Sequence, residues 1–209
     1  GHIERWSYQQ LWVRSVEVAK ALIAAGAGKD SRIGILMTNR PEYLSALFGT
    51  ALAGGVSVAL STFSTPSELE HLVAASGIST LLFEDAVLKT DFAAMLLQLE
   101  PRIAEAAPGG LQSTKFPFLR HLVRLAGLTG SADIARPADE AFGSCEAWDT
   151  FIARGASMPE QVVAARAAKV CPADTGGLFF SSGTTSLPKG IFHAQQAFAI
   201  QWWRWPRVM

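Results

Sequence analysis

The sequence has few cysteines, no charge excess and no long apolar run, and each shortage excludes a class of protein. Cys145 and Cys171 lack the CxxC or Cys/His spacing of a metal site, so no disulfide or zinc framework is predicted. We interpret both as buried small hydrophobes in a reducing, cytoplasmic compartment. Eighteen basic residues balance eighteen acidic ones, which argues against nucleic acid or an anionic membrane as a partner. No apolar run is long enough to predict a transmembrane helix.

Several catalytic motifs are also missing. The sequence has no GxGxxG dinucleotide fingerprint and no GxSxG nucleophile elbow, and no Gly-Lys-Ser/Thr ends a Walker loop. What the sequence does have is apolar material, since 49% of its 209 residues are hydrophobic and 17% are charged. That composition is ample for a buried core in one large domain or two small ones.

Helix and strand patterns alternate over the first eighty residues. Caps followed three residues later by Gln or Glu predict three helix starts, at Ser7 with Gln10, Asn39 with Glu42, and Thr65 with Glu68. We interpret Asn39 and Glu42 as capping residues rather than ligands. Short apolar runs at 32–37, 56–60 and 80–83 predict strands. The alternation predicts an α/β fold, a mainly parallel sheet with helices on both faces.

The second half of the sequence gives weaker patterns. We predict a helix over 92–99, a strand over 119–125 and a loop over 127–144. A short helix over 146–153 and another opened by Pro159 follow. A final buried strand is expected at 177–180.

The most informative stretch is residues 178–190, where that strand runs into a burst of hydroxyl residues. Five of them can donate hydrogen bonds to phosphate oxygens: Ser181, Ser182, Thr184, Thr185 and Ser186. Gly183 can adopt a positive φ, which lets backbone N–H groups curl around an anion. Lys189 adds a mobile positive charge, followed by Gly190. The pattern predicts a phosphate cradle. A Ser/Thr-rich surface linker explains 181–186 alone, but fits poorly between a strand and Pro-Lys-Gly.

Residues 178–189 resemble the phosphate-binding signature of the adenylate-forming enzymes, which include acyl-CoA synthetases, adenylation domains and luciferases. Upstream segments resemble the same family in the same order, namely those at 6–8, 25–30, 32–36, 39–42 and 53–56. The resemblance therefore spans most of the chain and is least clear over 84–155. It implies that residues 1–209 are a partial AMP-binding N-terminal domain, truncated at both ends, with the C-terminal part and the lid domain absent.

The resemblance also implies an activity and a site. The parent protein would use ATP, Mg²⁺ and coenzyme A to convert a carboxylic acid, most simply an acyl chain, into an acyl-adenylate and then a thioester. Ser181–Ser186 and Lys189 would wrap the β- and γ-phosphates, and Ser181 would lie near Mg²⁺. No catalytic residue is assigned within this chain. Two alternatives stay open, a carrier-protein adenylation domain and a non-catalytic α/β nucleotide-binding or interaction module.

Two features near the end of the chain have more than one reading. His193 follows the signature closely, but a strand or loop histidine is favoured over a phosphate ligand because no second ligand is near in sequence. Trp202, Trp203 and Trp205 could border an acyl pocket. Because aromatic residues dominate cores, a buried helix face whose partner is missing is favoured.

Overall fold

The computed structural model describes residues 5–127, 142–181 and 187–208. The helices in these ranges are α1 (Tyr8–Ala24), α2 (Pro41–Leu52), α3 (Pro66–Ser76), α4 (Phe92–Leu99), α5 (Arg102–Glu105), α6 (Trp148–Arg154), α7 (Glu160–Ala167) and α8 (Gln195–Val208). The strands are β1 (Arg32–Leu36), β2 (Val56–Ala59), β3 (Thr80–Glu84), β4 (Ala86–Val87), β5 (Thr90–Asp91), β6 (His121–Leu125), β7 (Cys145–Ala147), β8 (Thr175–Ser181) and β9 (Lys189–Ala194).

One seven-stranded sheet organises the described residues, in the order β7-β6-β3-β1-β2-β8-β9. The strands from β7 to β8 run parallel to their neighbours, and β9 is antiparallel to β8. In the middle of the sheet Gly34 of β1 pairs with Val58 of β2 and Leu81 of β3. The mainly parallel sheet predicted from the sequence is confirmed.

Helices cover both faces of this sheet. Apolar side chains of α3 and α4 pack in one core with strand residues such as Leu81 and Phe83. Side chains of α1, α2 and α6 pack in a second core with Leu82 and Val123. Alternate residues of β3 therefore point into opposite layers, which is the period of a strand that is buried on both sides.

The predicted capping boxes start α1 and α3. The Ser7 hydroxyl accepts a hydrogen bond from the Gln10 backbone N–H, and the Gln10 side chain accepts one from the Ser7 N–H. Thr65 and Glu68 make the same reciprocal pair. Local side-chain chemistry satisfies the first N–H groups of these two helices, which is why the sequence predicts their starts well.

The prediction that Asn39 caps α2 is wrong. The N-cap is Arg40, which has an extended backbone with φ −129° and makes no side-chain cap hydrogen bond. Pro41 disfavours a helical conformation in the residue before it and is itself suited to the first helical position, so the boundary falls between Arg40 and Pro41. The Glu42 carboxylate instead accepts a hydrogen bond of 2.8 Å from Arg40 Nε.

Two further predictions are corrected in the second half of the chain. Glu146 and Ala147 belong to β7 rather than to a helix, because β7 pairs with β6 and three residues are too few to show a period. Cys145 is buried as expected, but Cys171 is exposed in a turn, where its N–H bonds the Asp174 carboxylate. The predicted loop over 127–144 lies mostly outside the described residues. No helix in the described ranges is long and apolar enough to cross a membrane.

Candidate functional site

The hydroxyl-rich segment, residues 181–190, begins where β8 ends. β8 runs parallel to β2, so Ser181 lies at the edge of the sheet that carries the carboxyl ends of the parallel strands. Ligands of open α/β sheets bind at this edge. Ser182, Gly183, Thr184, Thr185 and Ser186 lie outside the described residues, so their predicted contacts with phosphate stay predictions.

Ser181 and Lys189 are placed opposite each other at the two ends of this segment. They are partners in the antiparallel register of β8 and β9, and the Ser181 hydroxyl is 3.5 Å from the Lys189 carbonyl oxygen that accepts its bond. Both side chains are exposed. Among the described residues, no carboxylate forms an ion pair with Lys189. β8 and β9 therefore form an antiparallel hairpin, and the facing ends of the two strands carry one exposed hydroxyl and one exposed ammonium group.

A histidine of helix α3 contacts the hairpin that β8 and β9 form. His71 of α3 places Nε2 3.1 Å from the carbonyl oxygen of Pro188, the residue before β9. The two residues are 117 positions apart in sequence. Sequence reasoning missed His71 because nothing in its surroundings marks it as anything but an isolated histidine.

Close packing explains the glycines of β8 and β9. A Cβ on Gly190 would stand 2.9 Å from Leu178 Cδ1, and one on Gly177 would stand 2.6 Å from a ring carbon of Phe198. Real Cβ atoms essentially never approach so closely. Gly190 therefore lets Leu178, which is buried in the core with α3, pack under the start of β9.

His193 lies in β9 among aromatic rings. Its ring meets Phe179 edge-on with centroids 5.3 Å apart and lies 6.2 Å from Phe198. His193 thus lies in a strand, and its interpretation as a structural histidine rather than a phosphate ligand stays a prediction.

The tryptophans of α8 are exposed. Trp202 contacts Phe48 and Phe198 through its ring, yet it, Trp203 and Trp205 all keep roughly half of their surface accessible or more. This exposure is what a helix face whose partner is missing would show, and both that interpretation and the acyl-pocket alternative stay predictions.

The crevice between β1 and β3 is filled by ion pairs. The chain leaves β1 toward α2 on one face and leaves β3 toward α4 on the other, so the strand order reverses there and a ligand crevice is expected. Buried Glu84 at the end of β3 instead accepts hydrogen bonds from Thr38 N and Oγ1 and pairs with Arg40 at 3.2 Å. This network therefore occupies the crevice between the ends of β1 and β3 with side chains of the protein itself.

The metal prediction depends on Ser181 alone. Within the described ranges, no group of three His, Cys, Asp or Glu side chains is placed to hold a metal ion. The exposed hydroxyl of Ser181 is an oxygen ligand of the kind Mg²⁺ accepts, and Mg²⁺ keeps several waters and shares substrate phosphates in such sites. One hydroxyl at the end of β8 is therefore a ligand of the type that Mg²⁺ accepts, although it does not form a cage, and the metal assignment stays a prediction.

Comparison with known proteins places the chain in a family. The sequence model of the AMP-binding enzyme family matches residues 1–207. A substituted-propanoyl:CoA ligase of Mycobacterium tuberculosis is 32% identical over 187 residues, covering 88% of this chain and 31% of that protein. The acyl-CoA ligase sidI of Aspergillus fumigatus is 28% identical over 185 residues, covering 88% of this chain and 28% of that protein.

Solved structures show the same fold. The crystal structure of the anthranilate CoA ligase AuaEII in complex with anthranoyl-AMP superimposes with a TM-score of 0.69 at 21% identity, covering 94% of this chain and 31% of that one. The chain thus spans about three tenths of the length of these relatives. Because the family model covers nearly every residue, the chain belongs to the AMP-binding enzyme family.

Proposed function

We propose that the full-length protein is an ATP-dependent acid–thiol ligase that makes an acyl-adenylate and then a coenzyme A thioester. This chain would supply part of its AMP-binding N-terminal domain, including the phosphate cradle. The observation that carries the proposal is the Ser181–Lys189 pair, which brings the two ends of the hydroxyl-rich segment together at the carboxyl edge. The sequence relatives named above are CoA ligases, which favours coenzyme A over a carrier protein as acceptor.

The chemistry requires charge neutralisation at the cradle. A carboxylate oxygen attacks the α-phosphorus of ATP, the bond to the β-phosphate oxygen breaks, and pyrophosphate leaves with that electron pair. A thiolate then attacks the acyl carbon, and AMP leaves. Mg²⁺ would supply further positive charge on the phosphates when bound, and the Ser181 hydroxyl is the group of this chain that would help to hold it.

The residues of this chain would act on the leaving group. Hydroxyl and N–H donors of residues 181–186 would hold the β- and γ-phosphate oxygens, and the Lys189 ammonium would offset charge that develops on pyrophosphate. A carboxylate paired with Lys189 would compete with the phosphates for its ammonium group. Among the described residues, no carboxylate forms such a pair. A cytoplasmic location stays part of the proposal.

Carboxylate-dependent exchange of pyrophosphate into ATP by the full-length protein tests the first step. We expect exchange with at least one acid from a panel of acyl and aryl carboxylates. Lys189→Ala and Thr184→Ala should each lower its rate about 10- to 100-fold, the worth of a charge-assisted hydrogen bond. Lys169→Ala, which removes an exposed lysine outside the hydroxyl-rich segment, should leave the rate unchanged.

The outcomes separate the alternatives. Absence of exchange with every acid would favour a non-catalytic nucleotide-binding module. Exchange that survives both substitutions would contradict the cradle. Thioester formation on addition of coenzyme A, with none on a carrier protein, would separate a CoA ligase from a carrier-protein adenylation domain.

A further inference from the structure

We propose that His71 is a positioning residue that fixes the Lys189 end of the phosphate cradle. The consequence for catalysis depends on the proposed function, whereas the anchoring contact does not. His71 Nε2 lies 3.1 Å from the Pro188 carbonyl oxygen, and a carbonyl oxygen can only accept a hydrogen bond. The proton of the contact must therefore reside on Nε2.

The anchored carbonyl controls how the chain enters β9. The Pro188 carbonyl and the Lys189 N–H and Cα share one planar peptide unit. A bond to that oxygen fixes the orientation of the whole unit, and hence the point from which the Lys189 side chain extends. Pro188 adds to this restraint because its ring fixes φ. A single contact from His71 thus orients the backbone of Lys189, the one lysine within residues 181–190.

Helix α3 is a rigid support for such an anchor. Its first turn is held by the reciprocal Thr65–Glu68 capping box, and it ends at Gly77 with a positive φ of 62°. Leu69, Leu72 and Val73 are buried in the core, so the helix cannot rotate about its axis. His71 is half-buried beside these residues and points toward the hairpin rather than into the core.

The energetic role is preorganisation. Without the His71 contact, the Pro188–Lys189 peptide unit would sample more orientations, and ATP binding would have to select the competent one. Because this selection is needed equally in the ground state and in the transition state, its loss should raise KM for ATP and leave kcat nearly unchanged. In a His71→Gln variant, the side-chain amide can donate the same hydrogen bond to the Pro188 carbonyl oxygen.

Hydrogen–deuterium exchange on this chain tests the anchor without reference to activity. In His71→Ala we expect the amides of β9 nearest Lys189 to exchange about five-fold faster, the factor that one net hydrogen bond represents. His71→Gln should restore the wild-type rate. The matched control is Glu70→Ala, its neighbour on α3, which pairs with Lys115 on the surface and should have no effect on β9. Unchanged exchange in His71→Ala would overturn the proposal.

Two further measurements sharpen the test. The ring ¹⁵N spectrum of the wild-type chain should show the proton of His71 on Nε2, and a ring protonated only on Nδ1 would overturn the anchor even if the alanine variant fails to fold. In the full-length protein, KM for ATP in pyrophosphate exchange should rise about five-fold in His71→Ala and return with His71→Gln. An active wild type with an unchanged KM in His71→Ala would overturn the positioning role, whereas an inactive wild type would contradict the proposed function alone.

Discussion

Gly49 of α2 lies against Val18 of α1 at a distance that leaves no room for a side chain. A Cβ at position 49 would stand 2.7 Å from Val18 Cβ and 2.9 Å from the Ser15 carbonyl oxygen. Val18 Cβ is the first atom of a β-branched side chain and the Ser15 oxygen belongs to the backbone, so neither atom can rotate away. Gly49 therefore sets how closely the two helices cross on this face of the sheet.

Gly49→Ala should lower the free energy of unfolding by about 1–2 kcal/mol. Against two atoms that cannot move away, overpacking should cost the upper part of its usual range, about 2–3 kcal/mol, and the better helix propensity of alanine returns about 1 kcal/mol. The melting temperature should fall by roughly 2–8 °C, measured by circular dichroism. Gly28→Ala is the control, since a Cβ there meets only the flexible end of Arg166 at 3.2 Å. Equal melting temperatures for Gly49→Ala and wild type would contradict the close contact.

The buried pair of Arg124 and Asp85 supports a second prediction. Arg124 Nη1 donates to Asp85 Oδ2 at 2.5 Å, and the other carboxylate oxygen accepts from Gly127 N at 2.8 Å. Asp85→Asn keeps the volume but leaves the Arg124 cation buried without that carboxylate. The free energy of unfolding, measured in urea, should fall by about 3–5 kcal/mol.

A double-mutant cycle separates the pair from its surroundings. Adding Arg124→Leu to Asp85→Asn should recover part of the loss, with a coupling free energy of roughly 0.5–3 kcal/mol. Glu17→Gln is the control. Its pair with Arg14 at 3.2 Å is exposed, and such pairs contribute at most about 1 kcal/mol. Strict additivity of the two substitutions would show that the ion pair is not what makes Asp85 important.

The predictions that succeeded depend on short-range chemistry. A capping box closes within four residues, so Ser7 with Gln10 and Thr65 with Glu68 mark helix starts from sequence alone. Short apolar runs predicted the inner strands for the same reason. The alternation of these elements then predicted the sheet and the helices on both faces, since few arrangements bury such elements.

What sequence could not predict depends on residues brought together by the fold. The His71–Pro188 contact spans 117 positions, and the bond from Thr38 to Glu84 joins the ends of the neighbouring strands β1 and β3, 46 positions apart. The strand at Cys145 forms because its backbone pairs with β6, and three residues are too few to show the alternating pattern of a strand in the sequence. Chain order shows which residues follow a strand, but not which carboxylate fills the crevice beside it.

The two cysteines should differ sharply in reactivity. Cys145 is buried, and burial raises the pKa of its thiol to about 12, so almost none is thiolate at pH 8. Cys171 is exposed. A thiol reagent at pH 8 should modify one cysteine per native chain and two in denaturant. Cys171→Ser should leave no reactive thiol in the native protein, and modification of Cys145 without denaturant would contradict its burial.

His121 at the start of β6 should make stability depend on pH. Burial lowers the pKa of its imidazole, and the Arg154 cation acts in the same direction, while the Glu146 carboxylate opposes them. His121 Nδ1 is 4.0 Å from Glu146 Oε1, and neither atom has a hydrogen-bond partner in the part of the chain that the structure describes. Arg154 Nε binds the other oxygen of Glu146 at 2.7 Å. The folded protein therefore favours the neutral imidazole.

The sign of the pH effect follows from that preference. Because the folded pKa lies below the unfolded value of about 6.5, the unfolded chain takes up the proton first as the pH falls. Stability is full above that value and declines toward the folded pKa, with a slope of at most about 1.4 kcal/mol per pH unit. His121→Gln should flatten urea-unfolding free energies measured between pH 7 and pH 5, whereas His193→Gln, which changes an exposed ring, should not. Parallel curves for His121→Gln and wild type would mean that the imidazole is as easily protonated in the folded chain as in the unfolded one.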